Sequence, residues 1–343
     1  MKNMLIVSLS FVVLMLTGCY AQEELDAYQI LPSGQMYLFG EIHSDEAHLN
    51  KQLELWRGFY TYQNMRHLFV EMPFFTAEFL NIWMQEEDDY ILDGIFADAR
   101  GTALDSIFVR EFLQAIKREL PETVFHGTDV GHQHNTTGQR FLQYLRENGL
   151  EDSELYILTL ENIEQGRRWN SSRNFRTESM VQNFVRAFDA LEGESIMSAF
   201  YGAAHVAWDY FGGIQTLAAR LREIYGENVH AVDLRELMEP DRLTIAGVEY
   251  IAIFFGSQDM SGWHDEFVQR EFWRIEDSYE DFRDNPTTGD MLPFDNFPMP
   301  VDLGQVFAIR MARRDGSYSW NYYRSSGAIW DGRDSTEEFL VED

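Results

Sequence analysis

The stretch Met36-Tyr-Leu-Phe-Gly-Glu-Ile-His-Ser-Asp-Glu-Ala-His48 decides how the chain folds. Its apolar beginning predicts a short strand that stops at Gly40, and Asp45 is a suitable cap for a helix that follows. Glu41 and His43 then lie in the turn between the strand and the helix. Open α/β sheets bind ligands at the carboxyl ends of their strands, so this turn is a candidate for chemistry. The simpler alternative is a solvated Glu41 and a buried, hydrogen-bonded His43.

The same succession of strand and helix recurs through most of the chain. Apolar runs predict further strands over 67–70, 123–125, 195–201 and 229–234. Helical spacing of apolar residues predicts helices over 74–85, 103–119, 138–147, 153–170, 174–191 and 214–225. This alternation indicates an α/β fold with a mainly parallel central sheet that has helices on both faces.

The pattern changes after residue 240. A strand is predicted over 248–255, a helix over 266–282, an irregular segment over 285–300, and a β-hairpin from 306–313 and 317–323. We therefore expect residues 36–240 to form the α/β domain and residues 241–343 to form a C-terminal extension that packs on it. Strands favour aromatic residues, so packing is a simpler role than ligand binding for the aromatic side chains of this hairpin, which are Trp320, Tyr322, Tyr323 and Trp330.

The beginning of the chain has the pattern expected of an export signal. Lys2 precedes an apolar run that is too short to span a membrane comfortably, and Leu16-Thr17-Gly18-Cys19 follows. This tetrapeptide resembles the lipobox of bacterial lipoproteins, in which the signal peptide is removed before the cysteine and the cysteine receives acyl chains such as palmitate. The resemblance implies that residues 1–18 are a signal peptide and that residues 19–35 are a tether lipidated at Cys19. We expect a protein anchored to a lipid bilayer of the bacterial cell envelope.

Composition excludes several classes of function. The formal net charge is −30, with 57 acidic and 27 basic side chains, so the chain repels nucleic acids and anionic surfaces and favours cations or neutral ligands. Solubility is the simpler explanation of the charge. Cys19 is the only cysteine, which leaves no disulfide and no thiol nucleophile for the remainder. No Gly-x-Ser-x-Gly motif is present, so the sequence does not favour a serine hydrolase.

Ionisable residues follow four of the predicted strands. They are Glu41 with His43, Glu71, His126 with Asp129, and His205. Each alone is most simply a hydrogen-bonded loop residue. Neighbouring parallel strands, however, have their carboxyl ends at one edge of a sheet, so these residues are expected to converge on one site.

Several short motifs together resemble one superfamily. They are Gly40-Glu-Ile-His43, the strand-ending Glu71, His126-Gly-Thr-Asp129, Arg176-Thr-Glu-Ser-Met180 and Gly202-Ala-Ala-His205. This set is similar to the signature of the superfamily that groups erythromycin esterases, ChaN-like haem-uptake lipoproteins, TraB proteins and Tiki metalloproteases. The first motif, with His48 and Gln52 in the helix after it, is most similar to the ChaN-like branch. The Gly-Thr-Asp turn is closer to the esterase branch.

The esterase branch implies a hydrolase-type site that acts on an ester, lactone or amide of a small molecule. In this hypothesis His43 is the general base, Glu41 or Glu71 orients it, and His205 polarises the scissile carbonyl. The dipole of the following helix is expected to lower the pKa of His43 and keep it neutral. Supporting positions are Asp129, His126 and Arg176.

Two alternatives use the same positions differently. In one, a divalent ion such as Mn²⁺ or Zn²⁺ activates the water, held by Glu41, His43, Glu71 and His205. In the other, which the ChaN-like branch implies, the protein binds haem or iron for uptake without catalysis, through a Tyr or His ligand. His132 and His134 lie in a Gly-flanked polar loop, for which solvation is the simplest interpretation.

Overall fold

The computed structural model describes residues 31–206, 210–211, 214–237, 240–260, 264–299 and 301–341. The predicted signal peptide, residues 1–18, and the predicted lipidation site Cys19 lie outside the described residues. The chain divides into two compact units, with the boundary between Asp233 and Leu234. Within the described residues, no helix is both long enough and apolar enough to cross a membrane.

The first unit contains a six-stranded sheet in which every paired neighbour is parallel. Its strands are β1 (Met36–Glu41), β2 (His67–Pro73), β3 (Val124–Asp129), β4 (Ile196–Ala199), β5 (Tyr201–Gly202) and β8 (Val229–Asp233). Two further strands, β6 (Tyr210–Phe211) and β7 (Ile214–Gln215), form a separate two-stranded sheet. The order across the sheet is β3, β2, β4, β1, with β5 and β8 also paired to β1. The predicted parallel α/β sheet is confirmed.

Nine helices of the described residues belong to this unit. They are α1 (Glu46–Tyr62), α2 (Phe74–Trp83), α3 (Tyr90–Asp98), α4 (Ile107–Glu119), α5 (Thr137–Glu147), α6 (Glu154–Arg168), α7 (Arg173–Asp189), α8 (Ala203–Val206) and α9 (Leu217–Tyr225). Helix α3 was not predicted. Two predicted helices begin later than expected, because Ser106 caps α4 and Thr216 caps α9 through side-chain hydrogen bonds to backbone N–H groups.

Strand β1 lies at the centre of the core, and all six of its residues are buried. Successive side chains of a strand point to opposite faces of its sheet. On one face, the ring of Tyr37 packs 4.7 Å from that of Phe59 in α1. On the other, Met36 and Leu38 belong to an apolar cluster with Phe184 of α7. Helices therefore cover both faces, which explains why β1 reads as a continuous apolar run.

The second unit is an antiparallel sheet of seven strands. Its elements are β9 (Asp241–Ile245), β10 (Val248–Asp259), β11 (Phe267–Ile275), the short helix α10 (Tyr279–Phe282), β12 (Thr287–Pro293), β13 (Val306–Arg313), β14 (Tyr318–Trp330) and β15 (Arg333–Phe339). The order across the sheet is β12, β15, β14, β13, β11, β10, β9. The hairpin of β13 and β14 is confirmed.

The prediction of a helix over 266–282 is wrong, and so is that of an irregular segment over 285–300. Most of the first segment is β11, which pairs with β10 on one side and β13 on the other. These two ladders, together with β-favouring residues such as Phe272 and Trp273, stabilise a strand there instead of a helix. The second segment contains β12, which pairs with β15.

Aromatic residues of the hairpin mainly pack within this unit. The ring of Trp320 lies 6.5 Å from that of Trp273, and the ring of Tyr323 lies 6.4 Å from that of Phe297. Trp330 is 47% exposed, with the guanidinium of Arg333 over its ring. Packing is therefore the role that the structure gives to Trp320 and Tyr323.

His126 lies within β3 rather than at its end. It pairs in register with Phe69 of β2, and the two rings stack at 4.8 Å. Its Nε2 lies 2.9 Å from Nδ1 of His67, the first residue of β2. Burial, with a smaller effect of His67, lowers the pKa of His126 to about 3. His126 is therefore a neutral, partly buried residue within the sheet of the folded protein.

We expect His126 to make the fold sensitive to acid. An unfolded histidine gains its proton near pH 6.5, whereas folded His126 stays neutral until about pH 3. Its contribution to stability is complete above the unfolded pKa and is lost as the pH falls towards the folded pKa, at about 1.4 kcal/mol per pH unit. When the pH is lowered from about 7 to about 5, the free energy of unfolding should therefore decrease less in His126→Phe than in the parent chain. Urea denaturation at the two pH values measures this decrease.

The loop variant His134→Gln is the matched control and should lose as much as the parent chain. Equal losses in His126→Phe and the parent chain would show that His126 does not bind a proton on unfolding in this range.

Candidate active site

The parallel sheet brings four of the predicted strand-end residues to one edge. Glu41 ends β1, Glu71 lies near the end of β2, Asp129 ends β3, and His205 lies in α8 directly after β5. The backbone N–H of Gly202 donates to Oε2 of Glu71 at 2.8 Å, which joins the end of β5 to the end of β2. His126 is not brought to this edge, because it faces His67 near the beginning of β2.

Glu41 and His43 form a hydrogen-bonded pair. Nδ1 of His43 lies 3.1 Å from Oε1 of Glu41, whose side chain is almost completely buried, whereas the His43 side chain is 43% exposed. Two motif glycines lie in close contact with neighbouring residues at this edge. A Cβ on Gly202 would lie 3.0 Å from Nε2 of His43, and a Cβ on Gly40 would lie 2.8 Å from the Cα of Ala203. Gly40 is therefore required for the close approach of the Ala203 backbone, whereas a side chain at position 202 would press on the ring of His43.

The protonation of His43 differs from the expectation. Burial alone would lower the pKa of His43. The hydrogen bond to Glu41 and the negative charges of Glu71 and Glu41 outweigh burial and raise this pKa to about 9. The expected lowering by the helix dipole is therefore wrong in direction. Burial raises the pKa of Glu41 in turn, although the hydrogen bond and charge of His43 act against that rise. Because the pKa of His43 is raised, its ring becomes a free base only in alkaline solution.

Arg176 joins two further carboxylates. Its Nη2 donates to Oε1 of Glu71 and to Oδ2 of Asp129, each at 2.7 Å, and its Nε donates to Oδ1 of Asp129 at 3.0 Å. Burial would raise the pKa of Asp129, but Arg176 and His132 hold it well below its usual range. Nη1 of Arg176 has no hydrogen-bond partner among the described residues, and the side chain is 26% exposed.

Two histidines flank this ion-pair network. Nε2 of His132 lies 3.0 Å from Oδ2 of Asp129, so His132 belongs to the network, although solvation was its simplest interpretation. Nε2 of His205 lies 3.5 Å from Oε1 of Glu71. Burial lowers the pKa of His205 more than the negative charge of Glu71 raises it. The His205 ring is therefore neutral at neutral pH.

A pocket of about 410 Å³ opens onto these side chains. Glu41, His43, Glu71, Asp129 and Arg176 all line it. The walls add several residues that the sequence did not single out for the site, among them Met72, Leu104, Val109, Trp169 and Phe200. His205 is not among the lining residues, although it lies 3.5 Å from Glu71, which is.

The residues do not fit a resident metal ion well. Oε1 of Glu41 contacts His43 and its Oε2 accepts from Gln52, while Glu71 accepts from Arg176 and from the Gly202 N–H. These contacts occupy the oxygens that a cation would need, and Arg176 already neutralises part of the charge. No three or more His, Cys, Asp or Glu side chains of the described residues form a group that could hold a metal. The Mn²⁺ or Zn²⁺ site stays a prediction.

Haem binding also stays a prediction. A haem iron needs an axial His, Tyr, Cys or Met ligand, and the pocket-lining residues of the described chain include His43, His132 and Met72 but no tyrosine. His43 and His132 are each already bonded to a carboxylate.

Comparisons with known proteins find only distant similarity. No protein-family model and no curated protein matches the chain. Among solved structures, it is similar to a Bacillus cereus protein, with 10% identity, 65% of this chain and 73% of that chain covered, and a TM-score of 0.42. It is also similar to a mutant of the erythromycin esterase EreC in its open conformation, with 12% identity, 72% and 79% covered, and a TM-score of 0.44. These likenesses are too distant to assign a family or an activity. The resemblance to the ChaN-like branch stays a prediction.

We expect Glu41→Gln to lower the pKa of His43. The glutamine keeps an oxygen near Nδ1 but removes the negative charge that stabilises the imidazolium. An NMR titration of the His43 ring should show its pKa move down from about 9. Glu46→Gln, which changes an exposed acid in the first turn of α1, is the control and should leave the titration unchanged. A His43 titration that is the same in Glu41→Gln and the parent chain would contradict the pairing.

Proposed function

We propose that the protein is a hydrolase that cleaves an ester, lactone or amide bond of a small molecule by direct attack of water. One observation carries the proposal: a buried carboxylate, Glu41, holds the half-exposed ring of His43 at the wall of a pocket. A base whose second ring nitrogen is fixed by a carboxylate is the arrangement that general-base hydrolysis needs.

The chemistry begins with neutral His43. Its Nδ1–H donates to Oε1 of Glu41, which leaves the lone pair of Nε2 free to accept a proton from water. The water oxygen bonds to the carbonyl carbon as the proton moves to Nε2. The tetrahedral intermediate then collapses, the bond to the leaving oxygen or nitrogen breaks, and the imidazolium returns its proton to the leaving group.

The developing negative charge needs a donor, and Arg176 supplies one. Its Nη1 has no partner among the described residues, while bonds from Nε and Nη2 to Asp129 and Glu71 fix the guanidinium plane. A donor that is held in place before the reaction stabilises an oxyanion without reorganising. Arg176, Asp129 and Glu71 therefore act together as the support for the oxyanion.

The pocket walls favour a substrate that is mostly apolar around its acyl group. Met72, Leu104, Val109 and Phe200 supply apolar surface, whereas the polar groups gather where the strands end. A few convergent polar groups in an otherwise apolar pocket orient a ligand without requiring it to be charged. We therefore propose a neutral ester or lactone as the substrate class.

We expect His43→Gln to lower kcat/KM for a panel of nitrophenyl esters and aliphatic lactones by roughly 10²-fold to 10⁴-fold, the usual contribution of a general base. In the parent chain, kcat/KM should rise with pH and level off above about 9, because only neutral His43 accepts a proton. Product release measured by absorbance or by pH-stat gives both quantities.

His134→Gln changes a loop histidine outside the pocket lining and should keep the parent rate. Full activity in His43→Gln would remove His43 from the reaction. A rate that falls as the pH rises through about 9 would show that the imidazolium is the required form, and would overturn its role as base.

A further inference from the structure

Gln52 is a fully buried amide on the face of α1 that packs against the sheet. Its neighbours on this face are mostly apolar and include Leu49, Leu53 and Trp56. A buried amide costs free energy unless its polar atoms are bonded. Both polar atoms of Gln52 are bonded: one bond reaches Glu41 in β1, and the other reaches Phe200 between β4 and β5.

The nitrogen of the amide binds the catalytic pair. Nε2 of Gln52 donates to Oε2 of Glu41, and the other oxygen of that carboxylate lies 3.1 Å from His43. A carboxylate bonded at both oxygens has its plane fixed. Gln52 thus sets the direction in which Glu41 presents Oε1 to the ring of His43.

The oxygen of the amide accepts a hydrogen bond from the backbone at Phe200, where the sheet is irregular. The backbone N–H of Phe200 donates to Oε1 of Gln52 at 3.1 Å. β1 pairs Met36 with Ile196 but Gly40 with Tyr201, so the strand of β4 and β5 contains one extra residue, which is a β-bulge. Phe200 lies at this bulge with a φ of 65°, which is unfavourable for an aromatic residue.

The bulge determines where the next residues lie. Two residues after Phe200, the N–H of Gly202 donates to Glu71, and the missing side chain of Gly202 leaves room for His43. Phe200 itself lines the pocket. A backbone held in an unfavourable conformation persists only when its surroundings fix it, and the bond to Gln52 supplies that constraint.

The two bonds also determine which way the amide points. Only the nitrogen of an amide donates and only its oxygen accepts. A reversed amide would direct its oxygen at the Glu41 carboxylate and its nitrogen at the Phe200 N–H, losing both bonds. Gln52 therefore has one orientation, and that orientation connects Glu41 to the bulge.

We propose that Gln52 is a positioning residue: it holds the Glu41 carboxylate and the Phe200 bulge in one fixed arrangement, so that His43 and Gly202 face the same pocket. The catalytic consequence rests on the proposed hydrolase function, whereas the structural arrangement does not.

Three variants separate the two bonds of Gln52. Gln52→Met has a similar shape and removes both bonds. Gln52→Glu keeps an acceptor for the Phe200 N–H but places a second carboxylate beside Glu41, and two such groups cannot both ionise freely. Asn50→Met lies on the exposed side of the same helix and is the matched control.

The first measurement is hydrogen exchange of the Phe200 amide by NMR, which needs no substrate. We expect exchange to be at least ~10-fold faster in Gln52→Met than in the parent chain, and slow in Gln52→Glu and Asn50→Met. Thermal unfolding checks that each variant is folded. Unchanged exchange at Phe200 in folded Gln52→Met would overturn the proposal.

The second measurement is steady-state hydrolysis of the substrate found for the parent chain. We expect kcat to fall ~10-fold to 10²-fold in Gln52→Met and in Gln52→Glu with little change in KM, because the base is misdirected while the pocket walls remain. A kcat in Gln52→Met equal to that of Asn50→Met would overturn the positioning role. A third outcome is that Phe200 exchanges fast in Gln52→Met while the parent chain hydrolyses none of the esters and lactones. This outcome would support the structural role of Gln52 and reject the hydrolase function.

Discussion

Three carboxylates are buried at one edge of a parallel sheet, and the structure around them follows from the need to match their charge. Glu41, Glu71 and Asp129 are each largely removed from water. An unpaired buried charge is strongly destabilising. Each therefore has at least two partners. Glu41 is bonded to His43 and Gln52, and Glu71 to Arg176 and the Gly202 N–H. Asp129 is bonded to Arg176, His132 and the Val130 N–H. The partners come from β-strand ends, helices and loops, so satisfying the charges also fixes the pocket.

The backbone is irregular where this matching requires it. The strand of β4 and β5 contains an extra residue at Phe200, and β2 contains one between Val70 and Pro73, where Glu71 lies. A bulge redirects side chains and N–H groups out of the regular ladder. Regular strands would present Glu71 and the Gly202 N–H in the alternating directions of the pleat. The two bulges are therefore part of the site, and α1 stabilises one of them through Gln52.

The sequence predicted the parallel sheet and the convergence of Glu41, Glu71, Asp129 and His205, because apolar runs ending in ionisable residues leave a strong pattern. It did not predict what depends on contacts between distant segments. His126 follows an apolar run, yet β3 continues past it to Asp129. The dipole of the local helix predicts a lowered pKa for His43, whereas Glu41 and Glu71, from two strands, raise it. In the second unit, the segment of β11 is predicted as a helix, and only its pairing with β10 and β13 identifies it as a strand.

Gln52 is marked in the sequence by its position on α1. A polar residue at position 52 interrupts the apolar stripe formed by Leu49, Leu53 and Trp56 on α1. A polar side chain on the buried face of a helix must find partners inside the fold, so the interruption itself indicates a specific contact. The sequence cannot name that contact, because Phe200 lies 148 residues further along the chain and its bulge depends on the register of two parallel pairs.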